Sequence, residues 1–330
     1  MDGTDARLSL ALSEGAVSVP LHGEIAVLAP RQGMALTSLP KDRCDLITGF
    51  FPDYDYFESV GWTCKTAPEK SYVAALVCLT RSKKLSQALV AKACEVTNGP
   101  VVIDGAKTDG VEAIMKACKK RTEVKNIFSK AHGKLFVIAG PGGFEDWAFS
   151  QLSKIPEGFY TAPGIFSADG IDPASRLLAD HLPQKLGKTI IDLGAGWGYL
   201  SHRALQRGDI ESVHLVEAEH EALVCARRNI CDARAQFHWG DARLWSAESN
   251  FDTILMNPPF HTTRKAEPDL GRAFLAAAHR LLHSKGTLYM VANRHLPYET
   301  DLKSLFADVR EFGGDNRFKL LQASRPSRTR

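Results

Sequence analysis

Short unbroken apolar runs alternate along this chain with stretches in which apolar residues return every third or fourth position, the pattern of buried strands interleaved with amphipathic helices. In the first half, runs at 25–28, 44–48, 72–79, 101–103 and 135–139 predict strands. Leu85, Leu89, Ala93 and Val96 share one helical face, and Asn98-Gly99-Pro100 stops that helix before the next strand. A second helix is expected over 110–120. In the second half, 158–170 is rich in turn formers and aromatics and reads as a loop. Asp172 and Pro173 then supply an N-cap and a first-turn proline for a helix reaching about residue 181. Strands are expected at 189–193, 213–216, 251–256, 286–291 and 318–323, with helices over about 199–206, 219–231, 269–282 and 301–306. In the helix at 269–282, Leu270, Phe274, Ala277 and Leu281 lie on one face, so it should cover a sheet. Such alternation is α/β architecture.

The two halves echo one another. In strand pattern, residues 45–51 line up with 252–258, and the helix-strand unit at 85–104 lines up with 270–292. A length of 330 residues, at ~150 per domain, accommodates two domains, taken as 1–154 and 155–330. The first copy lacks two features of the second: a Gly-x-Gly-x-Gly turn after a strand, and the stretch Asn257-Pro258-Pro259-Phe260.

Composition narrows the class. With 44% hydrophobic and 24% charged residues and no apolar run of the ~20 residues that a membrane helix needs, a soluble globular protein is expected. The N-terminus carries Asp2 and Asp5 where a secretory signal would carry positive charge, so a cytoplasmic location is expected. Seven cysteines without a Cys-x-x-Cys pair argue against a disulfide framework and a zinc cluster, and no metal is expected. A formal net charge of +3 permits contact with a polyanion only through local patches. Lys116, Lys119, Lys120, Arg121 and Lys125 form the densest basic run, and Arg325, Arg328 and Arg330 a second, within a tail at 325–330 expected to be disordered. Each run reads either as phosphate contacts or as a solvated face.

The candidate chemistry sits at strand ends. Asn257 follows the apolar run at 251–256, where open α/β sheets place their ligands, and the two prolines after it fix a turn and remove two backbone donors. What is left is acceptors. The Asn257 side-chain oxygen and the Pro258 carbonyl could take two hydrogen bonds from one planar amine, of the kind a nucleobase carries, while Phe260 offers a face for stacking. The strand at 189–193 ends in Gly194-Ala195-Gly196-Trp197-Gly198, and a strand, glycine turn and helix in that order let a ligand approach the backbone. The nicotinamide fingerprint wants a third glycine at position 199, which is tyrosine. Glu217 ends the next strand, about 20 residues on, where an acid accepts from ribose hydroxyls. Asp241 ends the strand after that and could accept from an adenine amine. Taken singly, each acid is more often a cap or a surface residue, and it is the three features at three successive strand ends that point to a ligand.

With these residues in this order, the second half resembles the class I S-adenosylmethionine-dependent methyltransferases, and within them the RsmC/RlmG type of ribosomal RNA guanine-N2 methyltransferase. The likeness is closest in 163–172, in Val291-Ala292-Asn293 followed by Leu296-Pro297-Tyr298, and in Arg317-Phe318-Lys319. It implies two Rossmann-like methyltransferase domains in tandem, with a mostly parallel seven-stranded sheet in the catalytic C-terminal one. The N-terminal domain would be degenerate and help to hold RNA. The resemblance further implies that Gly194, Gly196 and Gly198 let S-adenosylmethionine lie against the turn, Glu217 holds its ribose and Asp241 reads its adenine. Asp192 would organise the methionine end, with Phe166 and Asp169 nearby and Asn257 bordering the same site. Asn257, Pro258, Pro259 and Phe260 would form the catalytic corner, and His261 reads as a solvated neighbour. The partner implied is ribosomal RNA or a ribosomal subunit, 16S favoured over 23S, met by a monomer. The same corner could take an adenine or cytosine amine or a glutamine amide. A non-catalytic RNA-binding or ribosome assembly factor is the reading from another class, and a nicotinamide oxidoreductase is disfavoured by the glycine spacing.

Overall fold

The computed structural model describes residues 3–34, 36–140, 142–149, 152–259 and 268–327, and the chain divides into two units, Met1–Gln151 and Leu152–Arg330. In the first, α1 (Gly3–Ser13) precedes β1 (Ile25–Leu28), β2 (Cys44–Ile47), α2 (Phe51–Ser59), β3 (Thr63–Lys65), β4 (Ala74–Cys78), α3 (Lys83–Val96), β5 (Pro100–Ala106), α4 (Val111–Cys118), β6 (Val124–Lys130) and β7 (Gly133–Ala139). The second opens with a small hairpin of β8 (Ser153–Lys154) and β9 (Tyr160–Thr161). It continues through α5 (Pro173–His181), β10 (Thr189–Leu193), α6 (Tyr199–Ala204), β11 (Ser212–Glu217), α7 (His220–Asn229), β12 (Ala235–Trp239) and β13 (Phe251–Met256). Its last elements are α8 (Pro268–Leu281), β14 (Leu282–Asn293), α9 (Tyr298–Leu305), β15 (Phe306–Gly314) and β16 (Phe318–Pro326).

Both sheets have seven strands in one topology: β3-β2-β1-β4-β5-β7-β6 in the first unit and β12-β11-β10-β13-β14-β16-β15 in the second. The first five strands of each run parallel, the sixth runs antiparallel to them, and the seventh pairs antiparallel to the sixth. The echo between the halves is therefore a repeated architecture, but its registration needs correction. β13 lies between β10 and β14, so its counterpart is β4, between β1 and β5, and not the run at 45–51, which belongs to β2. Strands of four or five residues, mostly apolar and all buried, are interchangeable by hydropathy, which is why pattern alone misaligned them. The alignment of 85–104 with 270–292 joins true counterparts, α3-β5 and α8-β14.

Parallel strands covered on both faces must be apolar throughout, and the central ones are. In the second unit Ile191, Leu193, Ile254, Met256, Leu288 and Met290 form a core closed by Phe274, Ala277 and Leu281 of α8, with Leu270 packed at its rim. Each such fully buried side chain contributes ~1.5–3 kcal/mol. The edge elements β6 and β15, unmarked in the sequence, are largely exposed and polar. In the first unit α1 is pinned by a buried ion pair, Arg7 Nε to Asp104 Oδ1 at 2.5 Å, with side chains 3% and 1% exposed. The tail is also ordered further than expected: β16 runs through Pro326, and Arg325 pairs with Asp308. Among the described residues no helix is long and apolar enough to cross a membrane.

Candidate active site

The sheet of the second unit reverses its strand order between β10 and β13, and at such a switch point the crevice beyond the strand ends receives ligands. A pocket of about 360 Å³ opens there, lined by Gly194 to Trp197 after β10, Asn257 after β13, Asp172 and Ser175 at the start of α5, and Phe166. Phe166 is 59% exposed.

Two acids lie beneath the glycine turn. Glu217 Oε2 accepts the Gly196 N–H at 2.8 Å and Oε1 accepts the Glu219 N–H at 2.8 Å, which braces the glycine turn on the end of β11. Loss of water around Glu217 raises its pKa, opposed by N–H groups from Glu219, Gly196 and Ala218. Asp192, 1% exposed, accepts from the Ser201 N–H at 3.1 Å and the Ser201 hydroxyl at 2.7 Å, both on Oδ2. Its Oδ1 is buried without a partner among the described residues. Burial pushes this carboxyl up to about 7, against the two Ser201 bonds, and the Glu217 charge pushes the same way.

The three glycines divide by role. Gly194 and Gly196 line the pocket at φ +75° and +55°, and a Cβ at Gly196 would meet no atom within 4 Å. Gly198 faces the interior instead: a Cβ there would lie 2.8 Å from Ile230 Cδ1 and 3.3 Å from Leu215 Cδ2. It lets α6 start close against the sheet, and it stands outside the pocket lining.

Asn257 leaves β13 with its amide held by α5. Its Nδ2 donates to Asp172 Oδ2 at 2.9 Å and to Ser175 Oγ at 2.8 Å. Among the described residues none donates to its Oδ1. Pro258 is buried and Pro259 exposed, while Phe260 and His261 lie outside the described residues. Asp241 is occupied: Arg243 Nε bonds both of its oxygens, at 2.8 and 2.9 Å, and the Arg243 N–H caps Oδ1 at 2.9 Å. Asp169 is exposed and stands outside the pocket lining.

Asn229, which carries no sequence signal, supports the turn from behind. Asn229 at the end of α7 accepts the Tyr160 N–H at 2.6 Å and donates to the carbonyls of Tyr160, at 3.0 Å, and Trp197, at 2.9 Å, which ties the hairpin to the glycine turn. Trp197 packs against Phe159 with the rings tilted and their centroids 5.0 Å apart.

The first unit has the matching strand ends. Ala29 donates to Ile47 as Gly194 donates to Val216, and strand register then places Leu79 at the position of Pro258. The Arg31 guanidinium bonds the Leu79 carbonyl and pairs with Asp109 at 3.5 Å, so an arginine spans the counterpart of the pocket.

Comparison with known proteins agrees with this architecture. The methyltransferase small domain model matches residues 157–322. The ribosomal RNA large subunit methyltransferase G of Shewanella oneidensis is 31% identical over 167 residues, 49% of this chain and 44% of that protein. The chain thus spans under half the length of the large-subunit relative it matches. The ribosomal RNA small subunit methyltransferase C of Idiomarina loihiensis is 26% identical over 270 residues, 77% of this chain and 79% of its own length. Among solved structures, the T. thermophilus 16S rRNA N2 methyltransferase RsmC, in complex with AdoMet and guanosine, superposes with a TM-score of 0.80 over 98% of this chain and 91% of that one, at 20% identity, a likeness of fold. On the match to residues 157–322, which carry the glycine turn, Asp192, Glu217 and Asn257, the chain belongs to the methyltransferase small domain family.

Proposed function

We propose that this protein uses S-adenosylmethionine to methylate the exocyclic N2 amine of a guanine in ribosomal RNA, in 16S rRNA rather than 23S. The observation that carries the reading is the state of Asn257: its two N–H bonds are committed to Asp172 and Ser175, so the group it has left for a substrate is an acceptor, beside the glycine turn.

The residues suit the cofactor. Asp192 Oδ1 is a buried carboxylate oxygen lacking a partner among the described residues, fit for a ligand ammonium, and Gly196 leaves open the space that any other side chain would fill. Glu217 would hold the ribose with lone pairs not used by Gly196 and Glu219, since a carboxylate offers ~four acceptor sites. Asp241 would meet the adenine while still paired with Arg243. S-adenosylmethionine supplies a methyl group on a positively charged sulfur. The protein's own contribution is orientation and electrostatics: Asn257 Oδ1 and the Pro258 carbonyl draw the amine hydrogens to one side and turn the nitrogen lone pair toward the pocket. No strong base is needed, since the amine proton becomes acidic only as the new bond forms. A base in a duplex cannot reach this corner, so the guanine must be unpaired or flipped out, at a cost of a few kcal/mol.

The preference for 16S rests on extent. Small-subunit methyltransferases C align along most of this chain, 77% and 84% of it, whereas the large-subunit methyltransferase G aligns over 49%. RNA would be held in part by the first unit. Of its basic run, Arg121 pairs with Asp146 and Lys125 with Glu123, which leaves Lys116, Lys119 and Lys120, all exposed, for phosphates. Mass mapping of methylated nucleosides in ribosomal RNA from cells with and without the gene tests the reading. Loss of one N2-methylguanosine from 16S rRNA is expected; loss from 23S rRNA, or loss of a methylated adenine or cytosine instead, would replace the acceptor, and an unchanged map would end the proposal.

A further inference from the structure

Two neighbours of Asn257 decide which of its atoms a substrate meets. An asparagine amide is nearly symmetrical in shape and opposite in chemistry at its two ends, so one half-turn exchanges a donor for an acceptor. Here the turn is blocked. Nδ2 sits 2.9 Å from Asp172 Oδ2, and a carboxylate can only accept; turning the amide over would set oxygen against oxygen. Ser175 Oγ, 2.8 Å away, takes the second hydrogen. Asp172 is itself fixed, because the same Oδ2 accepts the Ser175 N–H at 2.8 Å as the N-cap of α5. The start of a helix thus holds an acid, and the acid and a serine hold the amide.

We propose that Asp172 and Ser175 are positioning and specificity residues that lock Asn257 as an acceptor-only group, so that the corner takes a base presenting N–H and refuses one presenting a carbonyl at the same place. The inference rests on the reading of Asn257 as the acceptor for the target amine. A freely turning asparagine would serve a donor or a carbonyl alike. The locked one leaves a carbonyl facing an oxygen with no hydrogen between them, a discrimination on the order of tenfold or more.

The lock is tested by exchanging its partners. Among the residues lining the pocket, the titratable side chains are Asp172 and Tyr199, with Asp192 and Glu217 beneath the glycine turn. Asn257→Asp brings two carboxylates to hydrogen-bond distance, where both cannot stay ionised. While they share a proton, the new acid can still offer an oxygen to the pocket; when that proton leaves, repulsion turns it aside. Turnover of Asn257→Asp, relative to the unaltered protein, should therefore fall about tenfold or more as pH rises. The double variant Asp172→Asn with Asn257→Asp, in which donor and acceptor have changed places, should regain the rate at high pH and run parallel to the unaltered protein. Ser175→Ala keeps its backbone N–H, and so the helix cap, and should lower kcat roughly three- to tenfold with KM for S-adenosylmethionine unchanged. If Asn257→Asp and the double variant share one pH profile, or if Ser175→Ala leaves kcat untouched, the lock is refuted. Asn257→Ala separates this from the reading beneath it. Full turnover in that variant means that Asn257 does not accept the amine at all, whereas a dead Asn257→Ala beside an unrescued double variant leaves the site reading standing and removes the lock.

Discussion

Glu217 reaches under the glycine turn and accepts the N–H of Gly196 at 2.8 Å, so the acid expected to bind a ligand also shapes the loop that the ligand would lie on. Its other oxygen takes the Glu219 N–H. Glu217→Gln turns one acceptor into a donor facing a backbone donor, which costs about 1–3 kcal/mol. Calorimetry should find S-adenosylmethionine affinity reduced roughly tenfold or more, with a lower Tm. Unchanged affinity would mean that the turn keeps its form without the brace.

If Asp192 meets the ligand as proposed, binding should be sensitive to pH. Burial raises its carboxyl from the ordinary aspartate range to about 7. An acid raised in the folded state adds stability that is fully present below the unfolded value, ~4, and is lost as pH rises through about 7. Asp192→Asn should therefore flatten the stability profile between those limits and gain on the original protein above them. A cation beside Oδ1 favours the ionised form, so binding of S-adenosylmethionine just below neutrality should release a proton. Calorimetry in two buffers of different ionisation heat would detect the release in the original protein and its loss in Asp192→Asn; equal proton counts would contradict the assignment of Oδ1.

Gly196 and Gly198 should part company under the same substitution. Gly198→Ala drives a methyl to within 2.8 Å of Ile230 at a left-handed φ of +89°, and should destabilise the unit by about 1–3 kcal/mol. Gly196→Ala meets no atom and should cost only about 1 kcal/mol of backbone strain, yet weaken ligand binding. Thermal unfolding and calorimetry on the pair check this, and equal losses of stability would contradict it.

The first unit depends on its buried ion pair. Asp104→Ala would leave Arg7, 3% exposed, without its charge partner, a loss of about 3–5 kcal/mol. Denaturant unfolding should show the first unit melting before the second, and a single unshifted transition would count against the pair.

Much of this was legible in the sequence, and the failures have physical causes. The strands at 189–193 and 251–256 and the helix capped by Asp172 appear as expected because long apolar runs and a capped proline leave few alternatives. α1 went unread because its key inward residue is Arg7, a charge that reads as surface until Asp104 is beside it. β6 and β15 went unread because an edge strand need not be apolar. The strand-end acids and Asn257 could be placed by spacing, but not the roles of Ser175 and Asn229. Their partners lie 82 and 69 residues away, and no local pattern marks them.

The central claim is that the Asn257 oxygen presents an amine beside the glycine turn. Single-turnover methylation of 16S rRNA by Asn257→Ala, with S-adenosylmethionine affinity measured in parallel, tests it most directly. The rate should fall by at least a hundredfold, on the scale of removing one transition-state hydrogen bond, while affinity stays within about threefold. A rate equal to that of the original protein would contradict the account.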